Sequence, residues 1–106
     1  MKQLKFSDPL PKLILEGRKT ATWRLNDEKN IQAGDELALY YNDGREFARA
    51  VVTRTKETTF GQLTEEDRAG HEPFPSDQEM YGVFSRYYRT QVGPGTRVKV
   101  IKFRVL

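Results

Sequence analysis

The C-terminal segment Thr96–Leu106 constrains the fold more than any other. Val98 and Val100 fall on one face of an extended chain, whereas Ile101, Phe103 and Val105 continue one residue out of step. The basic residues shift with them, from Arg97 and Lys99 to Lys102 and Arg104. Side chains alternate between the faces of a strand, so one flat strand cannot bury both apolar sets against a single core. The pattern predicts a bulge or a strong bend between Val100 and Ile101. A strand that serves two sides in this way suits a small closed or nearly closed barrel.

The preceding segments supply the other parts. Ser7-Asp8-Pro9 opens a short helix whose Leu10, Leu13 and Ile14 share a face, and Gly17 ends it. In Thr20–Leu25, Ala21, Trp23 and Leu25 alternate with Thr20, Thr22 and Arg24, which reads as a strand. Glu36–Asn42 is a second strand, Asn42-Asp43-Gly44 a hairpin turn, and Arg45–Thr55 the return strand, with room to run on to Lys56. Leu63–Gly70 has the spacing of one or two helical turns, with Thr64 and Asp67 placed for a cap. Ser76-Asp77-Gln78-Glu79 forms a capping box ahead of a helix carrying the apolar stripe Met80, Val83, Phe84, Tyr87 and Tyr88, and Gly93-Pro94-Gly95 stops that helix. The sum is one α+β domain over residues 1–106, a β-barrel of about five or six strands with helices packed against it.

Composition narrows the chemistry. The chain lacks cysteine, so disulfides, thiolate zinc sites and a cysteine nucleophile are excluded. No stretch approaches the roughly 20 apolar residues of a membrane span, and Met1–Leu10 lacks the apolar core of a signal peptide. A cytoplasmic protein with no membrane association is expected. Eighteen basic against 15 acidic residues give a net charge of +3, which permits an anionic partner. The charge is uneven: Met1–Leu25 and Arg86–Arg104 are basic, and Leu63–Glu79 is acidic.

The densest polar cluster is Gly17-Arg18-Lys19-Thr20-Ala21-Thr22-Trp23-Arg24. Gly17 lets the backbone turn, Lys19 leaves the turn, and Thr22 and Arg24 project from one strand face. An ammonium, a hydroxyl and a guanidinium so grouped can bind a phosphate or a polarised carbonyl. Burial that lowers the lysine would also let its amine activate a hydroxyl. The plain alternative is a strand with a solvated polar face. His71, the single histidine, is either a loop residue or a group that binds substrate or moves protons. The period of Trp23 places it in the core, with stacking on a base as the alternative. Tyr81, Tyr87 and Tyr88, with Arg86 and Arg89, have the composition of a single-strand RNA platform, but Tyr87 and Tyr88 lie on an apolar stripe that favours packing. The basic residues Arg97, Lys99, Lys102 and Arg104 are either phosphate contacts or a charged exterior.

Gly17, Lys19 and Arg24 match the G-x-K-x-x-x-x-R signature of the ASCH family, which this chain resembles from about Leu10 to Leu106. Ala33-Gly34-Asp35-Glu36 is similar to the start of that family's second strand and Val100–Val105 to its closing strand. The resemblance implies a PUA-like barrel, with a cleft beside its helices and a link to RNA or nucleotides. Within the family, the chain is similar to the small bacterial N(4)-acetylcytidine amidohydrolases, whose G-R-K-T-x-T-x-R stands here at Gly17–Arg24 and whose glutamate after an L-T-E segment falls at Glu72. That likeness implies Lys19 as proton acceptor, Thr22 as nucleophile and Glu72 as proton donor. Gly17, Arg24 and His71 are the expected substrate-binding residues. Such chemistry requires no metal and no cofactor. Pro73–Gly95 departs from that branch. The alternatives are a non-catalytic module that binds RNA or a modified nucleotide and, third, ribonuclease activity in the same cationic cleft; with one histidine, a two-histidine cleavage mechanism is impossible. The expected partner is a nucleoside or RNA, and nothing in the sequence identifies a protein partner.

Overall fold

The computed structural model describes all of residues 1–106. The strands are β1 (Lys2–Phe6), β2 (Ala21–Arg24), β3 (Glu36–Tyr41), β4 (Glu46–Thr59) and β5 (Arg97–Val105). The helices are α1 (Leu10–Leu15), α2 (Glu65–Arg68) and α3 (Asp77–Tyr88), and a 3₁₀ turn occupies Phe60–Gln62. All five strands form one sheet in the order β1-β3-β4-β5-β2. β1 runs parallel to β3, and the other pairs are antiparallel.

The sheet curls because its central strand is irregular. β4 shifts register against β3 at Leu39/Tyr40 and against β5 between Val52 and Arg54. Such irregularities bend a strand and increase its twist. The two edge strands, β1 and β2, are thereby brought face to face without a backbone ladder between them. Their seam is spanned by one side chain: Arg24 donates from Nη2 to the Lys5 carbonyl oxygen at 3.1 Å. Its guanidinium also lies 5.1 Å from the centre of the Phe6 ring.

Two cores result. Inside the curl, Leu4, Phe6, Leu37, Val52, Ile101 and Phe103 pack together, and Ile14 of α1 joins them. On the other face of the sheet, Trp23, Val98 and Val100 pack against Met80 and Phe84 of α3 and Phe60 of the 3₁₀ turn. This explains the phase change that the sequence displays in β5. The bulge expected between Val100 and Ile101 is absent, and β5 pairs with β2 in unbroken register from Lys99 to Lys102. The first half of β5 buries one face against α3 and the second half buries the opposite face inside the curl. The irregularity that accompanies this change sits on the neighbouring strand β4.

Other boundaries move for tertiary reasons. β1 is paired only through its distant parallel contact with β3, so no local turn announces it. β4 continues past Lys56 to Thr59 because β5 pairs with it to that point. The hydroxyl of Ser76 accepts from the Glu79 amide at 3.1 Å, while the Glu79 side chain stays exposed, so only half of the expected box forms. α3 ends at Arg89, which adopts left-handed geometry with φ 53°, ahead of Gly93-Pro94-Gly95. Its stripe divides: Met80 and Phe84 are buried, whereas Val83 and Tyr87 are exposed.

The short α2 is held by its own cap and by neighbouring strands. Asp67, 1% exposed, accepts from the Thr64 amide at 3.0 Å and from Lys56 Nζ of β4 at 2.9 Å. Thr64 in return accepts from the Asp67 amide at 3.1 Å, completing a capping box. Lys102 of β5 donates to the Ala69 carbonyl oxygen at 2.7 Å, at the end of α2 where carbonyls lack partners. Asp67→Ala removes the cap and orphans two donors, the Thr64 amide and Lys56 Nζ. Chemical denaturation should show a loss of about 2 kcal/mol, against less than about 1 for Asp67→Asn, which keeps an acceptor.

Candidate active site

The chain enters the site through Gly17, whose φ of +76° is accessible at little cost only to glycine. The Arg18 and Lys19 amides both donate to the Leu13 carbonyl oxygen, at 2.9 and 3.2 Å, closing the end of α1. This reversal turns the Lys19 side chain inward, where it is 1% exposed. Nζ then donates to the Ala21 carbonyl oxygen at 2.7 Å and to Glu72 Oε2 at 2.7 Å.

Glu72 arrives from the loop between α2 and α3. That loop is attached to the start of β2 by the Gly70 carbonyl oxygen, which accepts from the Thr20 amide at 2.8 Å and the Ala21 amide at 3.1 Å. Gly70 has φ +82°, and a Cβ placed there would lie 2.1 Å from Thr20 Oγ1. Trp23 Nε1 donates to the Asp67 carbonyl oxygen at 3.3 Å, fastening the preceding helix to the same strand. His71 stacks on Trp23, with ring centres 3.8 Å apart and an interplanar angle of 16°. Its Nδ1 lies 2.9 Å from the Glu72 carbonyl oxygen. A carbonyl only accepts, so Nδ1 carries the hydrogen of that bond.

A cavity of about 170 Å³ opens where the seam between β1 and β2 meets α3. Lys19, Thr22 and Glu72 form its polar side, and Phe6, Phe74 and Tyr87 are among its apolar walls. Thr22 is 5% exposed. Arg24 and His71 also line the cavity; Gly17 does not, and shapes the approach to Lys19 instead. Lys19, Thr22, Arg24, His71 and Glu72 are thus brought to one hollow. Trp23 is a core residue, 3% exposed. Tyr88 donates no base-stacking face to solvent comparable with Tyr87; it is half-buried, and its hydroxyl accepts from the Leu25 amide at 3.3 Å. Within the basic C-terminal run, Lys99 pairs with Asp27 at 2.8 Å and Lys102 caps α2, leaving Arg97 and Arg104 exposed.

The electrostatics follow from burial. Desolvation lowers the Lys19 ammonium below its ordinary value; the charge and hydrogen bond of Glu72 oppose this, and the charge of Arg24 adds to it. Desolvation pushes the Glu72 carboxyl up, but His71 in its acid, protonated form, the Lys19 charge and the Lys19 hydrogen bond outweigh it and hold the group below the usual carboxylate range. Burial, followed by repulsion from Lys19, drives His71 down to about 4. At neutral pH the site therefore holds an ion pair beside an uncharged imidazole.

Gly70, Asp67, Lys56 and Lys102 position the loop that carries Glu72, a role that their spacing in the sequence does not announce. Gly70 offers the one local signal, a glycine after a capped helical turn; its contact with Thr20 is visible only in the fold.

Neither a protein-family model nor a curated protein matches the chain. Solved structures do. A DUF984 protein from Enterococcus faecalis superposes with a TM-score of 0.77 at 20% identity, over 92% of this chain and 69% of that one. An ASCH domain from Lactobacillus crispatus gives 0.69 at 21% identity, over 90% and 69%. A variant of ZmASCH from Zymomonas mobilis gives 0.66 at 17% identity, over 96% and 66%. The chain has the fold of ASCH domains, as its short motifs implied.

Two outcomes test the construction of the site. In the folded chain His71 titrates near 4, against 6.5 for an unperturbed imidazole. Between those values the unfolded chain binds the extra proton, so stability is complete above pH 6.5 and falls as pH drops towards 4. The loss should reach about 3 kcal/mol, and His71→Phe, which keeps an aromatic ring on Trp23, should flatten it in unfolding curves taken across this range. Gly70→Ala should cost about 2 kcal/mol in the same assay, because it combines positive φ with the Thr20 clash.

Proposed function

We propose that this ASCH-fold chain is an amidohydrolase that removes the acyl group from an N(4)-acylated cytidine nucleoside, with Lys19, Thr22 and Glu72 as its catalytic residues. The observation that carries the reading is the ion pair between the buried Lys19 ammonium and the half-buried Glu72 carboxylate, on the same cavity wall as the Thr22 hydroxyl.

The pair holds one transferable proton. Moving it from Lys19 Nζ to Glu72 across their 2.7 Å hydrogen bond gives an amine and a carboxylic acid. Both groups are then in the state that acyl transfer needs, and the exchange leaves the net charge of the pair at zero. Burial favours that exchange by penalising the charged forms. The amine takes the Thr22 proton as Oγ1 attacks the acyl carbonyl, and the acid protonates N4 of the departing cytidine as the C–N bond breaks. The products are cytidine and an acyl-threonine ester, with the ion pair restored. Water then cleaves the ester: Glu72 accepts its proton, hydroxide adds to the acyl carbon, and Thr22 Oγ1 leaves with a proton from Lys19. Arg24 and His71 line the cavity and hold the substrate against its aromatic walls. The balance of the chemistry closes with these side chains and one water molecule.

Incubation with N(4)-acetylcytidine should release cytidine and acetate. Lys19→Met, Thr22→Ala and Glu72→Gln should each lower kcat/KM by at least about 10²-fold. Undiminished turnover by Thr22→Ala rejects the nucleophile. The pH profile should show a broad neutral plateau. Its acid limb should lie below pH 4.5, where the pair gains a proton, and its alkaline limb should begin below 10.5, where the pair loses one.

A further inference from the structure

The basic side chains that are not exposed are almost all compensated, and the exception is at the cavity. Among basic side chains that are not exposed, Lys2, Lys19, Lys56, Arg68 and Lys99 each pair with a carboxylate. Lys102 is spent on the carbonyl oxygens that end α2. Arg24 has no anionic partner. Of the five donors on its guanidinium, the Lys5 carbonyl takes one.

The surroundings make that charge harder to keep. Arg24 stands directly across from Lys99 in the β2–β5 register. Like charges in that arrangement repel. The Lys99 charge is cancelled by Asp27 at 2.8 Å, but no carboxylate is supplied to Arg24. Lys19 close by is likewise balanced by Glu72. Lys5, which contributes to the same cavity lining, is exposed and also lacks a carboxylate. With His71 neutral, the charged groups around the cavity are one balanced pair and two unbalanced cations, the half-buried Arg24 and the exposed Lys5 at its rim.

We infer that the substrate brings the missing anion: the site takes a phosphorylated acylcytidine, a nucleoside monophosphate, in preference to the neutral nucleoside, and Arg24 with Lys5 receives its phosphate. This rests on the hydrolytic reading above and extends it. The reacting amide lies deep, beside Lys19 and Thr22, which are 1% and 5% exposed. The sugar and its phosphate then project towards the rim. A guanidinium with free donors in a planar fork matches a phosphate better than a hydroxyl does.

The test compares N(4)-acetylcytidine with its 5′-monophosphate as substrates, and cytidine with cytidine 5′-monophosphate as ligands in calorimetry. The monophosphate should have a kcat/KM about tenfold higher at low ionic strength, chiefly through KM, and the preference should shrink as salt is added. Arg24→Gln should abolish the preference. Lys5→Gln, on an exposed strand position, should reduce it and serves if the arginine variant does not fold. Equal kcat/KM for the two substrates overturns the inference. So does an equal loss on both substrates in Arg24→Gln, which would place the guanidinium on the acyl group instead. A short RNA carrying one acetylcytidine that is turned over better than the monophosphate also overturns it, in favour of a polynucleotide. If neither substrate is hydrolysed, the binding arm still decides. Tighter binding of cytidine 5′-monophosphate than of cytidine, lost in the variants, upholds the anion site while the hydrolytic reading falls. Equal binding, or none, overturns both.

Discussion

The Lys19 ammonium is the constraint around which the molecule is arranged. A charge that is 1% exposed must be compensated, and an isolated one would simply be neutralised. Two partners meet it at 2.7 Å, the Ala21 carbonyl oxygen and Glu72. The first is local and follows from the turn at Gly17. The second lies 53 residues along the chain, so a large part of the fold serves to bring it there. β4 carries Lys56 to Asp67, β5 carries Lys102 to the end of α2, and β2 offers Trp23 and two backbone amides to the loop that follows. Each attachment is modest. Together with the stack of His71 on Trp23 they fix the loop that carries Glu72.

The cavity has an equally physical origin. A curled sheet of this order ends in two edge strands, and β1 and β2 approach without pairing. Unpaired edges are ordinarily covered or blocked. Here Arg24 bridges the gap at one point and α3 roofs the remainder, which leaves a hollow with polar groups from β2 and apolar groups from the helix. The exposure of Val83 and Tyr87 is the corollary. They belong to the apolar stripe of α3 but overhang the hollow rather than the core.

The sequence was most legible where local geometry decides. The hairpin at Asn42-Asp43-Gly44, the cap at Thr64 and Asp67, and the grouping of Lys19, Thr22 and Arg24 all follow from residues a few positions apart. It was least legible where distant pairing decides. β1, Lys2-Gln3-Leu4-Lys5-Phe6, offers only two apolar residues and becomes a strand only beside β3. The phase change in β5 was visible, yet a bulge and a strand that exchanges its buried face leave the same trace in one sequence. Glu72 could be placed only through a resemblance, because no periodicity connects it to Lys19. The helix whose residues wall the cavity lies in Pro73–Gly95, the segment that departs from the amidohydrolase branch, and this is where substrate selection would diverge while the polar floor stayed the same.

Charge balance links these features to chemistry. Lys19 and Glu72 sum to zero whichever of them holds the proton, so the pair changes between two forms of equal net charge. A low-dielectric surrounding penalises net charge more than it penalises such an exchange. The neutral imidazole of His71 preserves this condition: a protonated ring at that position would repel Lys19 and bind Glu72, competing for the carboxylate that the amine needs. Its burial and the repulsion of Lys19 keep it uncharged at neutral pH. The polar floor is therefore self-compensated, and any charge the site recognises has to be recognised at the rim, where Arg24 stands without a counter-ion.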